Sequence, residues 1–305
     1  MSASYRLFGL IVESRIELPE LLPAGEGAAR DVEIRIGDSG STGGERQGLT
    51  VSGSEALLRI DGVGRYRIRD GREIVVEPDP AASERNVRLY LLGSAFAAIL
   101  HQRGLLPLHA NAITLEGKAI AILGHPGAGK STLAAWFSDR GREMLADDVC
   151  VVTWGDSGAE SGRPLAHPGI GRVRLWRDAL EASGRSAGDH ERSFDDMDKY
   201  DVRTAVASGP VPLDHIYLLA KAEGRGGIRP LNGAEALQSL IANTYRGSYL
   251  PLMGATERHF RQCVRLVADA PLFEASREWG LSGMDEQSAR IEAHALALIR
   301  GRGKG

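Results

Sequence analysis

The chain has 305 residues, 43% of them apolar and 25% charged, with 37 Lys and Arg against 40 Asp and Glu for a formal net charge of −3. A chain of that length buries a core without staples, and its composition excludes collagen-like, disordered and disulfide-scaffold classes. The balanced charge argues against a dedicated binder of nucleic acid or anionic membrane. Two cysteines, Cys150 and Cys263, are too few for a disulfide framework. No apolar run approaches the roughly 18 residues of a membrane span, and no secretory signal pattern opens the chain, so the expected compartment is the cytoplasm.

Residues 1–82 read as a β-rich N-terminal domain. A strand is predicted over 6–12, and the period-two alternation of 31–36 predicts a half-buried one. A Gly/Ser-rich loop covers 37–48. Short strands are predicted at 56–60, 66–68 and 74–76, with Asp70-Gly71 as a hairpin turn between the last two. No catalytic pattern stands out in this layer, which reads as structural or substrate-docking. Pro78 and Pro80 punctuate the chain. Ser83 then caps a helix predicted over 84–102, with Val87, Leu91, Ala95, Ala98 and Gln102 at i, i+4, i+8 spacing and Gly104 at its end. Residues 83–104 form this connecting helix, and 105–300 a second domain.

The second domain opens with a predicted hairpin, 112–115 and 119–123, turning at Glu116-Gly117. A helix is expected from Lys130 to about residue 140, then strands at 143–146 and 149–152. Farther on come a strand at 173–175, a polar stretch over 183–201, a strand at 216–219, and helices over 234–245, 257–267 and 287–299.

Gly124, His125, Pro126, Gly127, Ala128, Gly129, Lys130 and Ser131 fit the pattern G-x-x-x-x-G-K-[ST], and Thr132 follows. An apolar strand enters the loop and a helix leaves it. Small residues let backbone N–H groups close around phosphate oxygens, and the helix N-terminus favours the anion. Lys130 would reach the terminal phosphates, meeting only phosphate and solvent. The Ser131 hydroxyl would ligate Mg²⁺. Asp147 and Asp148 follow Ser131 by only sixteen residues, counted to Asp147, which puts them at a strand end beside the loop. One carboxylate there can hold a metal, and the other can accept a proton.

Leu108-His109, the glycine loop through Lys130-Ser131, Arg140-Gly141 and Leu145-Ala146-Asp147-Asp148 resemble, in order and spacing, the HPr serine kinase/phosphorylase catalytic domain. The resemblance covers about residues 105 to 152. It implies an α/β fold, with an HPr-kinase-like P-loop domain after the smaller β-rich one. It implies ATP and Mg²⁺, a nucleotide on Gly124 to Thr132, Asp147 as general base, Ser131 and Asp148 at the metal, and His109 as an active-site partner. That family's second motif, E-[IV]-R-G-[LI]-G, has its nearest counterpart at Ala166-His167-Pro168-Gly169-Ile170-Gly171, which lacks the glutamate. The start of the chain and Arg172-Val173-Arg174-Leu175-Trp176 look closer to a divergent branch, kinases that phosphorylate the C-terminal serine of lasso-type precursor peptides.

Weaker candidates complete the reading. Lys199, one of only five lysines, follows an acidic run at 195–198 and could clamp a phosphoryl group or be a surface charge. Arg172 and Arg174 alternate along a strand, so their face could address phosphate or be solvated, the latter being the expectation, and Trp176 is expected in the core. Arg258, Arg261 and Arg265 form a basic stripe, either wetted or suited to an acidic peptide. The expectation is an ATP-dependent serine kinase acting on a peptide or small protein, with no nucleic-acid or membrane partner and a homo-oligomeric state left open. The alternatives are an HPr(Ser) kinase/phosphorylase and a nucleotide-binding regulatory module without transfer activity.

Overall fold

Strands run from Ala3 to Pro78, where the sequence alternates with period two. The computed structural model describes residues 2–25, 27–40, 46–193, 198–204, 206–224, 226–278, 280 and 283–302. Parts of the Gly/Ser-rich loop (41–45), of the acidic run (195–197) and of the C-terminus (303–305) lie outside the described residues. The fold is mixed α/β. It divides into two compact units: residues 1–107 with 245–260, and residues 108–244 with 261–305.

In the first unit eight described strands make one sheet. The strand predicted over 6–12 is instead a hairpin, Ala3–Leu7 and Leu10–Ser14, because Phe8 and Gly9 both take positive φ and reverse the chain. Glu55–Ile60, Gly64–Arg69 and Glu73–Pro78 form a meander, with Asp70-Gly71 at the last turn. Val32–Ile36 pairs parallel with Glu73–Pro78. The predicted helix appears as two α-segments, Glu84–Tyr90 and Phe96–Gln102, joined by a wide π turn over Leu91–Ala95. Ser83 caps it by accepting from the Asn86 amide. Leu91, Phe96 and Ile99 are fully buried, as are Tyr66, Ile68 and Ile74 of the sheet, and the Tyr66 hydroxyl donates to the Val87 carbonyl.

The second unit is built on Lys118–Leu123. This strand pairs antiparallel with Ala110–Leu115 and parallel with Val211–Lys221, which pairs parallel with Leu272–Arg277. Met144–Ala146 adds to the far side of Ala110–Leu115. The helix Lys130–Asp139 buries Leu133 and Phe137 in a core with Ile113, Ile122, Val173, Leu175, Tyr217 and Ile291. A smaller sheet pairs Arg172–Trp176 with Lys199–Arg203. Among the described residues no helix is long and apolar enough to cross a membrane.

Candidate functional site

Lys118–Leu123 is apolar and almost wholly buried, so its end is fixed in the core, and the chain emerges from it at Gly124. A Cβ at Gly124, where φ is 154°, would lie 3.1 Å from the Ala128 Cβ and 3.2 Å from the Leu219 Cβ. Gly129 opens the helix at φ 92°, in the left-handed region that glycine tolerates. Between them His125, Pro126 and Gly127 are exposed, while Ala128 is buried; Ser131 and Thr132 at the helix start are half-buried. The loop has the strand–turn–helix form that a phosphate cradle requires.

Lys130 does not meet only solvent, as expected from the sequence. It is 7% exposed, and its ammonium donates to the Gly124 carbonyl at 2.7 Å and the His125 carbonyl at 3.4 Å. Burial lowers its pKa from the ordinary lysine value. A lysine removed from water keeps its charge only where acceptors surround it, and the loop's own carbonyls supply them.

The two aspartates follow the buried strand Met144–Ala146. The Ser131 hydroxyl donates to Asp147 Oδ1 at 3.4 Å, and the Arg174 amide donates to Asp147 Oδ2 at 3.0 Å. Asp148 Oδ2 accepts from the Arg174 guanidinium at 3.0 Å. Ser131 therefore stands beside Asp147 rather than Asp148. Burial, and then the neighbouring Asp148 charge, raise the Asp147 pKa well above the usual carboxylate range. Burial also opposes ionisation of Asp148, but Arg174 and then Lys199 outweigh it and hold its pKa low. The two carboxylates are thus pushed in opposite directions, Asp147 up and Asp148 down.

His109 Nδ1 lies 3.0 Å from the Asp148 carbonyl oxygen. A carbonyl only accepts, so Nδ1 carries the proton. Burial, and then the Lys130 charge, lower the pKa of this ring. Lys199 sits opposite Trp176 in the small sheet, its ammonium 5.5 Å from the indole centroid. Its charge acts on Asp147, Asp148, His109 and Lys130.

Two expectations fail on this strand. Arg172 and Arg174 do not form a solvated face: their side chains are 12% and 15% exposed and paired with Asp201 and Asp148. Trp176 is 46% exposed rather than core, because it shares the alternating face of those arginines beyond the buried Val173 and Leu175. Period two fixes which residues share a face, not which face is wet.

Sequence reasoning also missed Asn111 and Asn243. Asn111 is fully buried, and its Oδ1 accepts from the Asp148 amide at 3.3 Å. An asparagine amid apolar neighbours in a strand was the available signal. Asn243, just beyond the helix Gly233–Ala242, accepts from the Gly124 amide at 3.3 Å through its side chain and from the His109 amide at 2.6 Å through its carbonyl. No local pattern announces a contact across more than a hundred residues. Ala166, where the family motif has its glutamate, is fully buried. A separate cavity of about 370 Å³, lined by Lys118, Arg163, Asp214 and Asp269 among others, includes none of these site residues.

No family model matches the chain, and no curated protein matches it. Among solved structures, the Hpr(Ser) kinase/phosphatase from Coxiella burnetii is similar over 65% of this chain and 95% of that one, at a TM-score of 0.36 and 13% sequence identity. A likeness of that size decides neither fold nor activity.

Proposed function

We propose that the chain is an ATP- and Mg²⁺-dependent serine kinase acting on a peptide or small protein. The observation that carries this reading is the Ser131 hydroxyl against the Asp147 carboxylate at the start of the phosphate-loop helix. The loop from Gly124 to Ser131 holds the nucleotide phosphates, with Lys130 turning its ammonium from the loop carbonyls to them. Asp147, its pKa raised, takes the proton of the accepting hydroxyl. Arg174 fixes both carboxylates, and Lys199 adds positive charge on the same side. The hydroxyl of Ser131 and the two carboxylates are hard oxygen donors that fit Mg²⁺. When bound, that ion neutralises charge on the phosphates.

The acceptor we propose is a flexible peptide end, first of all the C-terminal serine of a lasso-type precursor peptide. The exposed Trp176 beside Lys199 supports it, as an aromatic platform and a cation that an extended chain can reach. The test is mass spectrometry of such a peptide and of HPr after incubation with ATP and Mg²⁺. A gain of one phosphate on the peptide is expected. A gain on HPr alone would make the chain an HPr(Ser) kinase. ATP binding with no gain on either would make it a nucleotide-binding module.

A further inference from the structure

Asp148 is a non-glycine residue at φ 65°. The Val149 amide donates to the Asp147 carbonyl at 2.8 Å, a bond from residue i+2 to residue i that closes a γ-turn on Asp148. A γ-turn with positive φ at its centre is rare and strained, and such conformations persist only where their surroundings over-determine them. Here the surroundings are two side chains from one stretch of chain. His109 Nδ1 donates to the Asp148 carbonyl, and Asn111 Oδ1 accepts from the Asp148 amide. His109 is the bend before the strand Ala110–Leu115, and Asn111 lies two residues on, within that strand. Both backbone polar groups of Asp148 are thus gripped.

The turn has a chemical consequence. In extended backbone, neighbouring side chains point to opposite faces. Asp147 and Asp148 instead both reach Arg174, one at its amide and one at its guanidinium. The reversed residue is what brings the two carboxylates together at Arg174, with Ser131 against Asp147.

We infer that His109 and Asn111 are positioning residues that hold the Asp148 γ-turn, and that His109 acts through the Asp148 backbone rather than as an acid or base. The inference rests on the kinase reading for its activity arm and on geometry alone for its structural arm. His109→Asn keeps an amide donor near the place of Nδ1, whereas His109→Leu removes it. Asn111→Leu keeps the shape of the side chain and removes the acceptor. Misplacing a reacting group by about 1 Å costs on the order of 10²-fold in rate. His109→Leu and Asn111→Leu should therefore each lower kcat by about 10²-fold with KM for ATP little changed, and the double variant should lose far less than the product, since both hold the one residue at the centre of the turn. His109→Asn should lose less than about tenfold. Equal loss in His109→Asn and His109→Leu would overturn the assignment, because it would make the imidazole itself the reagent.

The structural arm needs no activity. Amide exchange read at Asp148 by NMR should quicken in Asn111→Leu. Unchanged protection there would overturn the clamp, whatever the chain phosphorylates. Absence of transfer in the parent chain, with exchange at Asp148 quickened in the variant, would reject the kinase reading and leave the clamp standing.

Discussion

At the scale of single residues, the proposed kinase reading gives Asp147 and Lys130 distinct jobs, and the predictions for both follow from that reading. Asp147→Asn keeps the side-chain shape and removes the proton acceptor, so transfer should fall by about 10²–10⁴-fold while ATP still binds, read by steady-state kinetics and nucleotide titration. In the parent chain the base must be ionised, and its pKa is raised by burial and by Asp148. The rate should therefore drop on the acid side with a midpoint well above the roughly 3.9 of an ordinary aspartate; a midpoint near that value would move the base elsewhere. The same shift has a sign for stability. The folded chain holds the Asp147 proton to higher pH than the unfolded chain does, so stability present below the unfolded pKa is lost as pH rises through the folded one. Thermal melts should find Asp147→Asn gaining on the parent above the raised pKa and losing that advantage in acid. Lys130→Ala should lower nucleotide affinity and also Tm. It leaves the Gly124 carbonyl without its ammonium donor, at a cost of about 1–3 kcal/mol.

Elements are where the sequence was most and least readable. The strand–turn–helix form around the glycine loop was legible because it is written in consecutive small residues, with an apolar run before them and a helical one after. The aspartate pair was legible for the same reason, since a gap of one helix and one strand leaves few places to put it. Illegible were features decided by partners far along the chain: the γ-turn at Asp148, Asn243 reaching Gly124, and Arg174 reaching both carboxylates. The hairpin at Phe8-Gly9 was missed because phenylalanine rarely takes positive φ, so nothing local marked the reversal. The helix Gly233–Ala242 gives a test at this scale. Asn232 and Glu235 form a reciprocal capping box at its start. Asn232→Ala should lower stability by about 1 kcal/mol, measured by denaturant titration. Its far end leads into Asn243, so nucleotide affinity in the same variant reports whether fraying there reaches the loop.

For the whole molecule, the two units do not follow the order of the chain. Residues 245–260 belong with residues 1–107, although residues on both sides of them belong to the second unit. Within the first unit this segment is held by specific bonds. His101 Nε2 donates to the Tyr245 carbonyl at 2.9 Å, Arg246 donates to the Ser94 hydroxyl at 2.6 Å, and the Arg258 guanidinium donates to the His101 carbonyl at 2.7 Å. Tyr249 and Leu250 are each only 7% exposed. A fragment of residues 108–305 carries every residue of the candidate site, but it strips those partners from 245–260. Apolar side chains left in water without a core open readily to proteases. Limited proteolysis of that fragment should cut first within 245–260, at positions resistant in the full chain. A co-expressed fragment of residues 1–107 should restore the resistance, because the bonds that fix the segment lie between these two stretches of one unit. Resistance of 245–260 in the isolated fragment would show that the segment folds without the first hundred residues.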